Sequence, residues 1–371
     1  MKNKKMKRLF VFIPAVLLAL FLLNSFVLKE KEAGEKTTKG FNSGHVPIIF
    51  RSTDGGQTWQ DISKGLPENL QREGVWRDGF FTNDSGLYLR AGNGVYHNEP
   101  NSTTPFWTKE IFPGNQRNIA PGEKGIFAYD FRGQFLEKRN GTNNWSPMYT
   151  NFQEQAVRIN RTIDWMYTNY KEKQVSSVFE TTAGTIFIGS NNAIYKSTNS
   201  GKTWRYVHVG GWVMKMAESN GVLLAASSRG ILRSTDDGEN WDRVISEGGV
   251  GVAVERIDGG FAAIVYNTIT QTNSIHISLD SGKTFNVIGE ELQPSWNSLL
   301  MKKIGLTKSS SDISSIKQMG KYLICGRSDG IFRSSDMGKT WKKLSLPAID
   351  NYGFNLSVSG NAIYVMPNKG C

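Results

Sequence analysis

The stretch Ile331-Phe-Arg-Ser-Ser-Asp-Met-Gly-Lys-Thr-Trp341 recurs along the chain. It returns as Ile48-Ile-Phe-Arg-Ser-Thr-Asp-Gly-Gly-Gln-Thr-Trp59, Ile194-Tyr-Lys-Ser-Thr-Asn-Ser-Gly-Lys-Thr-Trp204 and Ile231-Leu-Arg-Ser-Thr-Asp-Asp-Gly-Glu-Asn-Trp241. A looser copy is Ile275-His-Ile-Ser-Leu-Asp-Ser-Gly-Lys-Thr-Phe285. The frame is a short apolar strand followed by Ser-x-Asp-x-Gly-x-Thr-Trp. Its fixed positions are Ser52, Asp54, Gly56 and Trp59; Ser197, Asn199, Gly201 and Trp204; Ser234, Asp236, Gly238 and Trp241; Ser278, Asp280, Gly282 and Phe285; Ser334, Asp336, Gly338 and Trp341. A supersecondary unit repeated this often decides the architecture.

Each copy reads as a β-hairpin. Apolar and polar residues alternate in the strand, as they do when one face is buried. Short Ser and Asp side chains bond nearby backbone N–H groups in the turn, and Gly takes the positive φ that other residues avoid. The aromatic residue opens the returning strand and buries its ring against the hairpin.

The aromatic positions 59, 107, 145, 204, 241, 285 and 341 count the units, with Trp107 and Trp145 closing two degenerate copies. The first follows Gly94-Val-Tyr-His-Asn-Glu-Pro-Asn101, the second Phe135-Leu-Glu-Lys-Arg-Asn-Gly-Thr-Asn-Asn144. Gly360-Asn-Ala-Ile-Tyr-Val-Met-Pro-Asn-Lys-Gly370 echoes Gly320–Gly330 but lacks a following copy, whose counterpart stands at Ile48–Trp59. The fold class expected is all-β: a seven-bladed β-propeller of four-stranded blades, closed by pairing N- and C-terminal strands in one blade. Such closure leaves no open sheet edge at the chain ends.

The repeat resembles the Asp-box, or BNR repeat. That repeat occurs in bacterial and viral-type sialidases, xyloglucan-degrading glycosidases, sortilin-like receptors and photosystem II assembly factors. The resemblance implies that each box joins the third and fourth strands of a blade. It implies less about activity, since the families hold both hydrolases and binders.

The first residues read differently. Lys2, Lys4, Lys5, Lys7 and Arg8 precede an uncharged run of 20 residues, Leu9–Leu28. That length suits a membrane span, with the basic flank in the cytoplasm and the rest of the chain exported. A cleaved signal peptide is the alternative, although neither Ser25 nor Ala33 marks a good cleavage site. The domains expected are therefore an N-terminal hydrophobic helix within 1–28, a flexible linker over 29–44 and the propeller over 45–371. The net charge of +11 includes nine Lys/Arg against three Glu in residues 1–40, so the remainder has no nucleic-acid footprint. The two cysteines, Cys325 and Cys371, make no disulfide framework, and Cys325 falls in a buried strand. His45, His97, His208 and His276 have no metal-ligand spacing; neither metal nor cofactor is expected.

With the boxes on one face, blade-to-blade connections and the links from second to third strands lie on the other, the top. Long insertions at 146–174 and 288–311 belong there, and such insertions often carry function. Ligand-binding candidates are Arg77, Arg161, Trp165, Tyr167, Trp212, Arg229, Trp296 and Arg327. Arginines and aromatics around a channel mouth suit an anionic or sugar-like ligand. For catalysis, Asp164 paired with Glu290 or Asp329 could flank a glycosidic bond. The sialidase resemblance implies three arginines on a substrate carboxylate and a Tyr–Glu nucleophile pair. Here His45-Val-Pro-Ile-Ile-Phe50 has no arginine at the first of these positions, and Val365–Cys371 holds neither Arg nor Tyr. Arg51 stands where Arg233 and Arg333 stand, so it belongs to the repeat. The function expected is an exported, membrane-anchored, monomeric module binding a protein or glycan partner through its top face. A sialidase-like glycoside hydrolase is the alternative.

Overall fold

The structure is a computed structural model that describes residues 47–67, 70, 75, 79–83, 86–91, 94–98, 107–112, 114, 116, 118–130, 133–148, 174–246, 249–293, 313–346 and 353–367. Val46–Cys371 forms one compact unit. The expected helix and linker over 1–44 lie outside the described residues. Among the described residues no helix is long and apolar enough to cross a membrane.

Seven four-stranded antiparallel sheets make seven blades. Numbered by their box, the second blade runs from Phe80–Asn83 to Thr108–Lys109 and the third from Asn118–Gly122 to Ser146–Pro147. The fourth runs from Val175–Glu180 to Arg205–Val209, and the fifth from Val213–Ser219 to Asp242–Ile245. The sixth spans Gly249–Ile257 to Asn286–Ile288, the seventh Ile313–Met319 to Lys342–Leu344. The first blade is composite, with Phe354–Ser359 and Ala362–Pro367 inside and Phe50–Ser52 and Gln60–Asp61 outside. Phe50 stands opposite Val365 and Ser52 opposite Ile363 in that sheet.

The core lies between the sheets. Seven hydrophobic clusters each combine residues of two neighbouring blades. Leu224, Ala226 and Ile231 of the fifth blade, for example, meet Val254, Phe261 and Ala263 of the sixth. Alternation along each strand sends one set of side chains to each neighbour, so both faces of every blade are buried. Cys325, in Tyr322–Arg327, is fully buried as a small hydrophobe, and burial pushes its thiol well above the usual range.

The boxes fold as their composition dictates. Ser52 Oγ donates to Asp54 Oδ1 at 2.7 Å and accepts the Gly56 N–H at 2.8 Å. Asp54 also accepts the backbone N–H and, at 2.6 Å, the hydroxyl of Thr58. The same set recurs around Asp280 and Asp336, and around Asp236 with the Asn240 amide in place of the threonine hydroxyl. Asn199 keeps the turn by accepting the Thr203 N–H and donating to its hydroxyl. Donors from Asn240 and Ser234 hold the Asp236 carboxyl down at about 2, and those of Thr340 and Ser334 do the same for Asp336. The turn needs two consecutive left-handed residues. The glycine is the second; the first is Gly55, Ser200, Asp237, Ser281 or Met337, with φ of 76°, 56°, 55°, 59° and 55°.

Two features of the box reach beyond its own hairpin. The rings pack on the preceding blade: Trp204 stacks on Phe135 of the third blade, and Trp241 sets its edge to Phe187 of the fourth. Each ring thus closes its own hairpin, where Trp241 and Trp341 donate to Gly238 O and Gly338 O, and also staples its blade to the one before. The cation before the box serine also crosses. Lys196 Nζ donates to the Asp237 carbonyl at 2.6 Å, Arg233 Nε to that of Ser281 at 2.8 Å, and Arg333 Nη1 to that of Gly55 at 2.7 Å. Each acceptor is the first left-handed residue of the next blade's box. Lys196, only 3% exposed, also pairs with the Asp237 and Glu239 carboxylates.

Two variants test this wiring. Lys196→Met should cost about 1–3 kcal/mol in urea denaturation, because the Asp237 carbonyl loses a charged donor while both carboxylates keep water. In Gly338→Ala, the new Cβ would stand 2.2 Å from Ile288 Cδ1 at a φ of 87°. The Ile288 tip can swing away, so the left-handed backbone sets the cost at about 1–2 kcal/mol. Adding Ile288→Val should recover little of it.

Candidate functional site: the central channel and the top rim

The seven inner strands enclose a cavity of about 480 Å³. Its wall is built from the contacts that join neighbouring blades. In the fourth blade Ser176 donates to the Gly189 and Val213 carbonyls, and Ser177 also reaches that of Val213. Ser314 and Ser315 do the same in the seventh, both reaching the Phe354 carbonyl. Nearer the box face, Glu180 accepts the Glu123 N–H at 2.8 Å, and Glu218 accepts the Thr182 N–H at 2.8 Å and its hydroxyl at 2.9 Å. Gln318 accepts the Asp258 N–H at 2.6 Å.

The strongest electrostatic contact of the wall is a three-blade ladder. Glu255 of the sixth blade accepts from Lys215 of the fifth and, at 2.7 Å, from Lys317 of the seventh. Burial alone would push the Glu255 carboxyl up, but the two ammonium groups outweigh it and hold it at about 2. Glu180 shows the opposite balance. Its burial exceeds the help of the Glu123 and Lys124 N–H groups, so its pKa is raised. All three half-buried acids of the described wall are thus tied to wall donors. Phe80, Phe81, Phe179, Met214 and Met216 supply much of the apolar lining.

At the top, the expected ligand residues divide. Trp212, 48% exposed, opens the inner strand of the fifth blade; its N–H donates to Ser228 Oγ and its carbonyl accepts the Ser228 N–H. Arg229 follows in the same turn and lies over Gly210 and Gly211, whose missing side chains leave it room. Trp212 and Arg229 are therefore neighbours. Arg327 is 7% exposed; it donates to the Leu292 carbonyl at 2.6 Å, pairs with Asp329 at 2.9 Å and lies over the Phe332 ring. Its guanidinium is thus committed inside the fold, and Asp329 is neutralised beside it. Glu290 is exposed in the 3-10 turn Glu290–Leu292, while its neighbour Glu291 accepts the Trp341 N–H. That turn packs between the sixth and seventh blades. Arg77, Arg161, Asp164, Trp165, Tyr167 and Trp296 lie outside the described residues, as do 149–173 and 294–312 of the two insertions. Among the described residues no group of His, Cys, Asp and Glu could hold a metal ion.

Lys215, Glu255 and Lys317 are functional-looking residues that the repeat does not single out. The signal available was charge inside otherwise apolar inner strands. The serine latches have a clearer one: Val175-Ser-Ser-Val178 and Ile313-Ser-Ser-Ile316 share a pattern.

The family model described as BNR/Asp-box repeat matches residues 50–61. No curated protein matches the sequence. Among solved structures, a GH74 xyloglucanase from Xanthomonas campestris is 13% identical, covering 84% of this chain and 55% of that one, with a TM-score of 0.55. The extracellular domain of a hybrid two-component system from B. thetaiotaomicron is 12% identical over 87% and 42% of the two chains, at 0.50. YCF48 from Cyanidioschyzon merolae is 15% identical over 77% and 93%, at 0.49. At such identities the likeness to the first two shows the propeller fold alone and leaves activity to the residues.

Proposed function

We propose that this chain is an extracytoplasmic binding or scaffold module that engages a protein or glycan partner through its top face. Residues 9–28 hold it at a membrane. The observation that carries this reading is Trp212, 48% exposed beside Arg229 on the top rim. A large aromatic left in water next to a guanidinium resembles the anchor of a recognition surface more than a piece of core. Hydrolysis of a glycoside, the alternative, needs two carboxylates free to act on one bond. Asp329 is paired with Arg327, and Glu255 is held between two lysines.

Full-length protein in detergent micelles tests the choice. Fluorogenic sialosides and β-glycosides should not turn over, while partner cross-linking on the cell surface should fall in Trp212→Ala. Turnover that disappears in Glu290→Gln or Asp329→Asn would establish the hydrolase instead.

A further inference from the structure

The outer edges of the blades are not alike. Five are only two or three residues long, as in Thr108–Lys109 and Lys342–Leu344. The edge of the fourth blade, Arg205–Val209, has five residues and is the longest outer strand among those described. It pairs with Ala193–Ser197 on one side and with no described strand on the other. Exposed edges are normally kept short or charged, because their unpaired N–H and C=O groups invite another strand. Here the edge opens on Arg205, paired with Glu239, but then carries Tyr206, 53% exposed, and Val209, 38% exposed, and leads directly to Trp212. Three of the large exposed hydrophobics of the described chain fall within these seven residues.

Positive charge surrounds the same line. Arg229 lies over Gly210–Gly211 at its upper end. Arg243 is exposed on the outer strand of the fifth blade, Asp242–Ile245. Burial lowers the proton affinity of His208, and the positive charges of Arg243 and Arg229 lower it further. Neither arginine has a carboxylate partner among the described residues.

We propose that the edge Arg205–Val209, with Trp212, Arg229 and Arg243, is the docking site of an extended acidic segment of a partner protein. The segment adds as a further strand to the fourth blade and sets its carboxylates against the two arginines. A backbone ladder explains why a polypeptide fits better than a glycan, which cannot complete an edge. The pairing of this strand shifts register between Ile194 and Tyr195, so its five residues at about 3.3 Å each offer a ladder of at most about 16 Å, bent at Val207. This inference specifies the partner of the binding reading above and rests on it.

The test is selection of a random twelve-residue peptide library on the full-length protein. Recovered peptides should be rich in Asp and Glu. Their affinity should fall about tenfold in Arg229→Ala/Arg243→Ala, and again when NaCl rises from 50 to 300 mM, as roughly expected for a charge-steered contact. Tyr206→Ser should weaken them while leaving the melting temperature unchanged. Acidic peptides indifferent to all three substitutions, or selected peptides without acidic bias, would overturn the site but leave a binding module. Recovery of no peptide binder, together with binding to a glycan array, would overturn the site and assign the top face to carbohydrate. Self-association abolished by Tyr206→Ser would give the edge to a second copy of this chain and equally overturn the proposal.

Discussion

Trp107→Ala should cost the propeller about 3–5 kcal/mol, the range of a fully buried aromatic truncated to a methyl group. Trp107 belongs to a copy of the repeat that has lost its Ser-x-Asp-x-Gly core, yet its ring is 5% exposed. It packs among Ile49, Ile62, Tyr96, Tyr364 and Met366, so it joins the second blade to both halves of the composite first blade. Its indole N–H donates to the Ile62 carbonyl at 2.8 Å. Truncation therefore leaves a cavity and an unpaired buried carbonyl at the seam between the chain ends. Trp341, in a faithful box, is only half-buried and bonds within its own turn, to Gly338 O at 3.0 Å. Its truncation should cost less, about 2–3 kcal/mol, scaled from the area it removes from water. Urea midpoints of the two variants at equal slope decide the order. Equal losses would mean that motif fidelity tracks stability and burial does not. Trp107→Phe, which keeps most of the ring and loses the donor, should lie near 1–2 kcal/mol.

This order shows what the sequence carried and what it hid. The blade count was legible because the box is local chemistry: a Ser, an Asp and a Gly within five residues build the turn with their own hydrogen bonds. Even degenerate copies kept phase through Trp107 and Trp145, since an interface between blades still needs its aromatic. Which rings sit deepest was not legible, because that depends on the blade next door. The same limit hid the relay from Lys196, Arg233 and Arg333 to the following box, and the ladder through Glu255. Both join residues of different repeats, about 40–60 positions apart and, from Arg333 to Gly55 across the ring closure, 278 apart, and no pattern within one repeat announces them. Arg327 is the reverse case. Its place in a top-face turn suggested a free guanidinium, but the Leu292 carbonyl, 35 positions away, and Asp329 of the same turn occupy it. Trp212 follows two glycines, Arg229 lies over them, and nothing described covers either side chain.

Glu255→Gln tests whether the channel wall is held by charge as well as by packing. The carboxylate serves Lys215 and Lys317 at once, so the amide would leave two half-buried ammonium groups facing each other without compensation. Losing one member of such a network costs roughly 3–5 kcal/mol when every partner is buried. Lys215 and Lys317 are 35% and 24% exposed, so water recovers part of this and about 2–4 kcal/mol remains. The pH dependence separates charge from shape. A carboxyl held at about 2 when folded and near 4.5 when unfolded adds stability that is complete above 4.5. That stability drains away as pH falls from 4.5 toward the folded value, because the unfolded chain takes up the proton first. The stability gap between the native protein and Glu255→Gln should therefore be constant from pH 7 to about 5.5 and shrink steadily below 4.5. A gap that persists unchanged at pH 3.5 would make the loss one of packing. Replacing the whole ladder, as Lys215→Met/Glu255→Leu/Lys317→Met, should cost less than Glu255→Gln alone. Apolar side chains of similar volume strand no charge, and the three blades then meet through methylene contacts of the kind that already join their neighbours.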